Sequence, residues 1–371
     1  MQKKVVIIGG GFAGIQAAKK LYKNHDIQLT ILDYKDDSTF LPLLPDIISG
    51  NLAIKNITFS LTHWCKKRKI NFINEAVIEV LSNENIIKTP TQQIDYDYLL
   101  ITTGSETNYY GNKLITNNSL KLDDVRDAST IKVAALSDNI DHVLVSGGGY
   151  TGIETATHLR LLFDKQGLDK KISIVEFSPK LLRPMPEWIR KHVVKNLYSL
   201  KINCLINSQV TNIEETTITI NEKDTYERAM LVWSSGVKAV DIIKQLNGEK
   251  DRQERVLVDK NMHISDNVFA CGDSCQFIEK DMPLRMSVRF AVDAAKVAAK
   301  NIINSISKKP LITFKSHDPG YIIPMANNNS IGLAEGIKVK GKLATFLHYA
   351  LCFWFSEKSN KLGLLKNLLS R

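Results

Sequence analysis

Gly9, Gly11 and Gly14 close an apolar run, Val5 to Ile8, and Asp33 stands 24 residues beyond Gly9. Residues of these types at this spacing suit one task, holding a pyrophosphate and the ribose beside it. Gly9 permits a sharp turn, Gly11 lets the backbone approach the phosphates, and Gly14 allows a helix to pack close to the strand. A helix opening at Phe12 and Ala13 aims its free N–H groups at the phosphates, and Asp33 accepts a hydrogen bond from a ribose 2′-hydroxyl. The set then recurs: Gly147, Gly149 and Gly152 follow His142 to Ser146, and Glu176 lies 29 residues beyond Gly147. Two separate dinucleotides are implied. A carboxylate at Glu176 bonds a free 2′-hydroxyl and repels a 2′-phosphate, which favours NADH over NADPH, with Lys180 the nearby cation that weighs against it.

Three further strand ends carry glycine. Tyr98 to Ile101 runs into Thr102-Thr103-Gly104, and Ala229 to Trp233 runs into Ser234-Ser235-Gly236, one copy per nucleotide unit. Glycine there leaves room for backbone to pass close to a bound molecule. The third end is Val268-Phe269-Ala270-Cys271-Gly272-Asp273. Asp273 is placed to reach a ribityl hydroxyl of a flavin, and a helix starting near Met286 directs its positive end at the flavin ring.

The elements that must position these residues follow from the pattern. Each fingerprint reads strand, tight turn, helix, strand, acid. Between the copies, Pro42 and Pro45 interrupt any regular helix, so Phe40 to Pro45 reads as a loop with an apolar face, with a helix beginning after Asn51. That loop either covers the core or forms a wall of the flavin pocket through Leu41 and Pro42. A short basic helix is expected around Thr62 to Lys69. Strand-like pieces follow at Asn71 to Ile73, Ala76 to Val80 and Ile86 to Lys88, and others at Cys204 to Asn207, Val210 to Glu214 and Thr217 to Asn221 suggest a small meander. Tyr34, directly after Asp33, Val77 and Phe290 complete the expected cofactor-binding set. The fold class is α/β: two Rossmann-like dinucleotide-binding domains plus a C-terminal amphipathic helical tail. The expected boundaries are residues 1–108 with 255–310 for FAD, 109–254 for NAD(H), and 311–371 for membrane association.

Composition narrows the class. The 371 residues are 44% hydrophobic, with no signature of disorder. Five scattered cysteines and an N-terminus without signal-peptide pattern read as cytosolic and reduced. Cys271 and Cys275 read as packing residues, and no metal spacing is present. The net charge of +10 fits nucleic acid, an anionic membrane or solubility alone. Its position decides, and lysine concentrated in the tail weighs against nucleic acid.

Leu343 to Phe355 is 13 uncharged residues, and seven basic residues stand against Glu357 between Lys338 and Arg371. At about 1.5 Å per residue such a helix falls short of the roughly 30 Å hydrocarbon core. Leu343, Phe346, Leu347, Ala350, Leu351 and Trp354 share one face of a helical wheel, and Thr345, His348, Cys352 and Ser356 form the opposite strip. A helix lying in an anionic interface fits. A helix docked on the protein itself, or on a second subunit, remains the alternative.

In this order the motifs resemble the flavoproteins with two dinucleotide-binding domains, and among them the type II NADH:quinone oxidoreductases. Phe40 to Pro45 is similar to that family's flavin-proximal segment, Tyr98 to Gly104 and Trp233 to Gly236 to its paired strand ends, Ala270 to Asp273 to its Gly-Asp, and Leu343 to Leu369 to its membrane anchor. The resemblance implies an FAD-dependent NADH dehydrogenase that passes two electrons to a membrane quinone without pumping protons, peripheral on the cytoplasmic face, with a homodimer left open. Glu154 resembles the acid that stands near the nicotinamide, or else it is a solvated helix residue. Where the family carries two glutamines after Gly-Asp, this chain has Arg289 and Asp293. The two either pair with each other or serve a different acceptor, such as oxygen or a protein. Disulfide reductases and sulfide:quinone oxidoreductases need cysteine pairs that are not legible here. A slow-turnover flavoprotein resembling apoptosis-inducing factor is the non-respiratory alternative.

Glu176→Arg is expected to move the preference from NADH toward NADPH in kcat/KM measured with each nucleotide. Unchanged selectivity would show that Glu176 does not face the ribose.

Overall fold

Val5, Ile7, Leu99 and Leu100 have no exposed surface, as expected of apolar runs that form strands covered on both faces. The structure, a computed structural model, describes residues 1–369 and divides into two units: Met1–Ser38, Phe59–Glu106 and Lys238–Asp318 form the first, and Thr39–Thr58, Thr107–Val237 and Pro319–Arg371 the second.

The first unit is built on a six-stranded sheet. Its order is His263–Ser265, Val268–Ala270, Tyr98–Ile101, Lys3–Ile8, Ile27–Leu32, Asn71–Ile73. Neighbours pair in parallel except at the His263–Ser265 edge. The helix Phe12–Leu21 follows the central strand and ends with Lys19 and Lys20, a favourable charge for a helix C-terminus. It packs along the helix Val288–Ile306, whose N-cap Ser287 accepts the Phe290 N–H at 3.2 Å.

The second unit repeats the plan on four parallel strands, ordered Ile202–Ile206, Lys171–Glu176, His142–Ser146, Ala229–Trp233. Its fingerprint helix, Tyr150–Gln166, stops at Gly167 in the left-handed conformation. Two three-stranded antiparallel sheets, Val210–Tyr226 and Gly320–Lys340, and the tail helices Gly341–Phe355 and Lys358–Leu369 complete it.

Four expectations change. Pro42 and Pro45 do not prevent helix: Leu41–Leu43 is a 3₁₀ turn and Leu44–Ile48 an α-helix, each with its proline in the first turn, where a missing N–H costs nothing. The helix expected after Asn51 is only a 3₁₀ turn, Ile54–Asn56. The strand expected at Ala76 to Val80 runs instead from Glu79 to Leu81, and Val77 lies outside it, packed on the core. Cys204 belongs to a parallel strand of the main sheet, and the meander begins at Val210.

Candidate functional site

In the first unit, Gly9 has φ +104°, and a Cβ there would lie 2.4 Å from the Thr102 carbonyl oxygen. A Cβ on Gly14 would stand 1.9 Å from the Gly9 carbonyl oxygen, so the helix rests on the turn backbone to backbone. Gly11 differs, because nothing lies within 4 Å of where its Cβ would be. No side chain caps this helix and no acid sits in its first turn, which leaves the N–H groups and their partial positive charge for an anion. Asp33 closes the crevice, its oxygens accepting from the Gly10 N–H at 2.7 Å and the Lys35 N–H at 2.9 Å. Burial pushes its carboxyl up against the pull of those two donors. Lone pairs remain on the carboxylate for a hydroxyl.

Around this turn, Gly104 opens on empty space and Thr103 Oγ1 is buried with no hydrogen-bond partner among the described residues. Gly272 approaches the fingerprint helix so closely that a Cβ would be 3.3 Å from Ala13 Cβ. Asp273 receives Ser105 Oγ at 3.4 Å; burial raises its carboxyl, opposed by Arg255 and Ser105. An open cradle, an uncapped helix end and an orphaned buried hydroxyl fit a dinucleotide. Tyr34 is exposed beneath the Lys35 ammonium, and Phe290 is buried under the Arg285 guanidinium. Leu41 and Pro42 belong to the second unit.

The second unit reproduces the geometry. Gly147 has φ +106°, a Cβ on Gly152 would lie 1.9 Å from the Gly147 carbonyl oxygen, and Gly149 again faces open space. Glu176 accepts from the Gly148 N–H at 2.6 Å and the Ser178 N–H at 2.7 Å. One difference separates the copies: the space at Gly236 is taken by the Tyr110 hydroxyl, which a Cβ would meet at 2.2 Å.

Glu154, one helical turn beyond Gly149, is partly buried. Its carboxyl is pushed well above the usual range, first by burial and then by Asp46. Asp46 is itself buried and accepts the Tyr349 hydroxyl at 2.8 Å. His158 faces Asp46 at 3.9 Å through Nε2 and bonds Ser49 Oγ at 2.8 Å through Nδ1. This cluster escaped the sequence reading because its members come from a proline-bearing segment, the fingerprint helix and the tail, up to 303 residues apart; no local pattern marks it.

The tail helix Gly341–Phe355 is docked through Ala344, Thr345, Tyr349 and Cys352, a face of mixed polarity that takes in part of the expected polar strip. Thr345, Cys352 and Ser356 are buried, with Thr345 Oγ1 on Ser330 Oγ at 2.7 Å, whereas Leu343, Phe346, Leu351 and Trp354 are 59, 52, 49 and 76% exposed.

A model of the pyridine nucleotide-disulphide oxidoreductases matches residues 3–300. The chain belongs to that family. It is therefore an oxidoreductase built on two dinucleotide folds, and the expected cofactors, FAD and NADH, stand with that membership. It is similar to a type II NADH:quinone oxidoreductase of Staphylococcus saprophyticus, 24% identical with 93% of each chain covered. One from Haemophilus influenzae is 24% identical, covering 94% of this chain and 92% of the relative. Among solved structures, NDH2 from Plasmodium falciparum in complex with NADH superposes with a TM-score of 0.88 at 18% identity, covering 100% of this chain and 98% of that one. The sulfide:quinone oxidoreductase of Aquifex aeolicus gives 0.77 at 21% identity, covering 97% and 92%.

Family membership brings no disulfide here, since all five cysteines are free. Burial pushes the Cys275 thiol up to about 12 and Cys271 upward as well, which keeps both as thiols and poor nucleophiles. Arg289 and Asp293 pair with each other at 2.5 Å, and Lys296 joins Asp293 at 2.9 Å.

The raised carboxyl of Glu154 sets a pH dependence. The folded chain holds a proton that the unfolded chain releases near pH 4.5, so the charge penalty is full above the raised value and fades as pH falls toward 4.5. Glu154→Gln is expected to raise the melting temperature at mildly alkaline pH and to change it little near 4.5. A lowered melting temperature throughout would contradict this.

Proposed function

We propose that this oxidoreductase is an FAD-dependent NADH dehydrogenase that delivers electrons to a membrane quinone without pumping protons. The observation that carries the reading is the duplicated crevice, with an open glycine, an uncapped helix end and a strand-end carboxylate in each unit. FAD is assigned to the first unit, because only there does a Gly-Asp strand end, Gly272 and Asp273, meet the fingerprint helix. NADH is assigned to the second, where Glu176 favours a free 2′-hydroxyl. When bound, the two cofactors supply hydride transfer and its relay as two electrons. The chain supplies position: Gly11 and Gly149 admit the phosphates, Asp33 and Glu176 fix the riboses, and Glu154, whose carboxyl is pushed up first by burial and then by Asp46, holds its proton more firmly than a free acid does. The boundaries proposed for binding are residues 1–108 with 255–310, 109–254 and 311–371.

Quinone as acceptor is supported by the relatives' names and by the tail. Leu343, Phe346, Leu351 and Trp354 face outward with Leu362 and Leu365 of the following helix. Lys338, Lys340, Lys342, Lys358 and Lys361 flank them along the chain, a composition that suits an anionic bilayer surface, here assigned to the cytoplasmic face. The side chains of Lys366 and Arg371 lie outside the described residues. Among the described residues no helix is long and apolar enough to cross a membrane. The same outward face suits a homodimer less well, because two copies would bring the lysine-rich flanks of both tails together. One observation favours a second acceptor: the Arg289–Asp293 ion pair stands where the resembling family carries glutamines.

Purified protein is expected to be yellow and, once reduced anaerobically by NADH, to be reoxidised faster by quinone in anionic vesicles than by oxygen in stopped flow. Phe346→Glu with Trp354→Glu is expected to abolish sedimentation with those vesicles and slow the quinone step, leaving reoxidation by ferricyanide intact. Colourless protein, or reoxidation by oxygen as fast as by quinone, would overturn the reading.

A further inference from the structure

The second crevice carries an exposed aromatic residue on the side away from Glu176. In the four-stranded sheet, Lys171–Glu176 and Ala229–Trp233 flank the fingerprint strand His142–Ser146 on opposite sides. Glu176 therefore marks one side of the turn at Gly149, and Gly236 marks the other. A dinucleotide whose adenosine ribose bonds Glu176 and whose pyrophosphate meets Gly149 directs its other half toward Gly236.

Tyr110 stands there. Tyr110 is 68% exposed as a residue, and its hydroxyl donates to the Ser235 carbonyl at 3.0 Å. The loop that carries it is tied to the same strand end: Asn108 N–H donates to the Gly236 carbonyl at 3.0 Å, Trp233 Nε1 donates to the Asn108 carbonyl at 2.9 Å, and the Tyr109 and Trp233 rings stack with centroids 6.5 Å apart. The absence of a Cβ at Gly236 is what lets the hydroxyl seat. In the first crevice the corresponding glycine, Gly104, faces open space. Tyr110 is thus a fixed ring presented to solvent where only one of the two nucleotides would pass.

We propose that Tyr110 is a specificity-determining residue for the nicotinamide half of the dinucleotide, offering its ring to the planar heterocycle while the bond to Ser235 holds it in place. The proposal rests on the assignment of NAD(H) to the second unit. A fixed aromatic face costs little ordering on binding, and an aromatic or cationic heterocycle such as the pyridinium of NAD⁺ is a suitable partner for it.

The test separates the two halves of the ligand. Full-length protein with its flavin is titrated by calorimetry with NAD⁺ and with ADP-ribose, which lacks the nicotinamide. Tyr110→Ala is expected to weaken NAD⁺ roughly 3- to 10-fold while moving ADP-ribose by less than about 2-fold. Tyr110→Phe, which keeps the ring, is expected to recover most of the NAD⁺ affinity. A purely structural role would weaken both ligands in parallel. Parallel loss, or no loss, with normal binding by the unaltered protein overturns the role of Tyr110 alone. Failure of the unaltered protein to bind ADP-ribose overturns the assignment of the second unit, and this proposal with it.

Discussion

No side chain fits between the first turn of each fingerprint helix and the strand that precedes it. At Gly14 and Gly152 a single added carbon would stand 1.9 Å from a carbonyl oxygen of the turn. This contact sets the distance from helix to strand, and with it the height of the helix N-terminus above the crevice. The free N–H groups, the open space at Gly11 and Gly149, and the reach of Asp33 and Glu176 all follow from it. Each acid also accepts a backbone N–H from the turn itself, at Gly10 and Gly148, so turn and second strand are locked in register before any nucleotide arrives.

Whatever depends on contiguous residues was legible. Both fingerprints, the strand and helix that flank each turn and the Gly-Asp strand end could be read because spacing along the chain dictates spacing across the turn. What depends on position within an element was harder. Pro42 and Pro45 read as breakers, since sequence alone does not say that each occupies a first helical turn. Ala76 to Val80 carries strand-like residues, but pairing with Ile86–Lys88 begins only at Glu79. Contacts made by distant segments were not legible at all: Asp46, His158 and Tyr349 meet within the second unit although Asp46 and Tyr349 lie 303 residues apart.

That docking gives the tail its character. A surface helix ordinarily buries its apolar stripe and shows its polar one. Gly341–Phe355 instead buries Ala344, Thr345, Tyr349 and Cys352, with the Tyr349 hydroxyl donating to Asp46. Leu343, Phe346 and Trp354 are then left facing outward, a state that water alone does not favour. Burial first, and Asp46 second, push the Glu154 carboxyl and the Cys352 thiol up, so the tail helix and the fingerprint helix both face this buried acid.

Electron transfer within one chain requires two independent nucleotide pockets, and a stoichiometry measures that directly. Flavin released on denaturation and NAD⁺ bound at saturation, each counted per polypeptide, are predicted to come to one apiece, with neither displacing the other. A chain that holds a single nucleotide in total, or one that sheds its flavin as NAD⁺ binds, would contradict it.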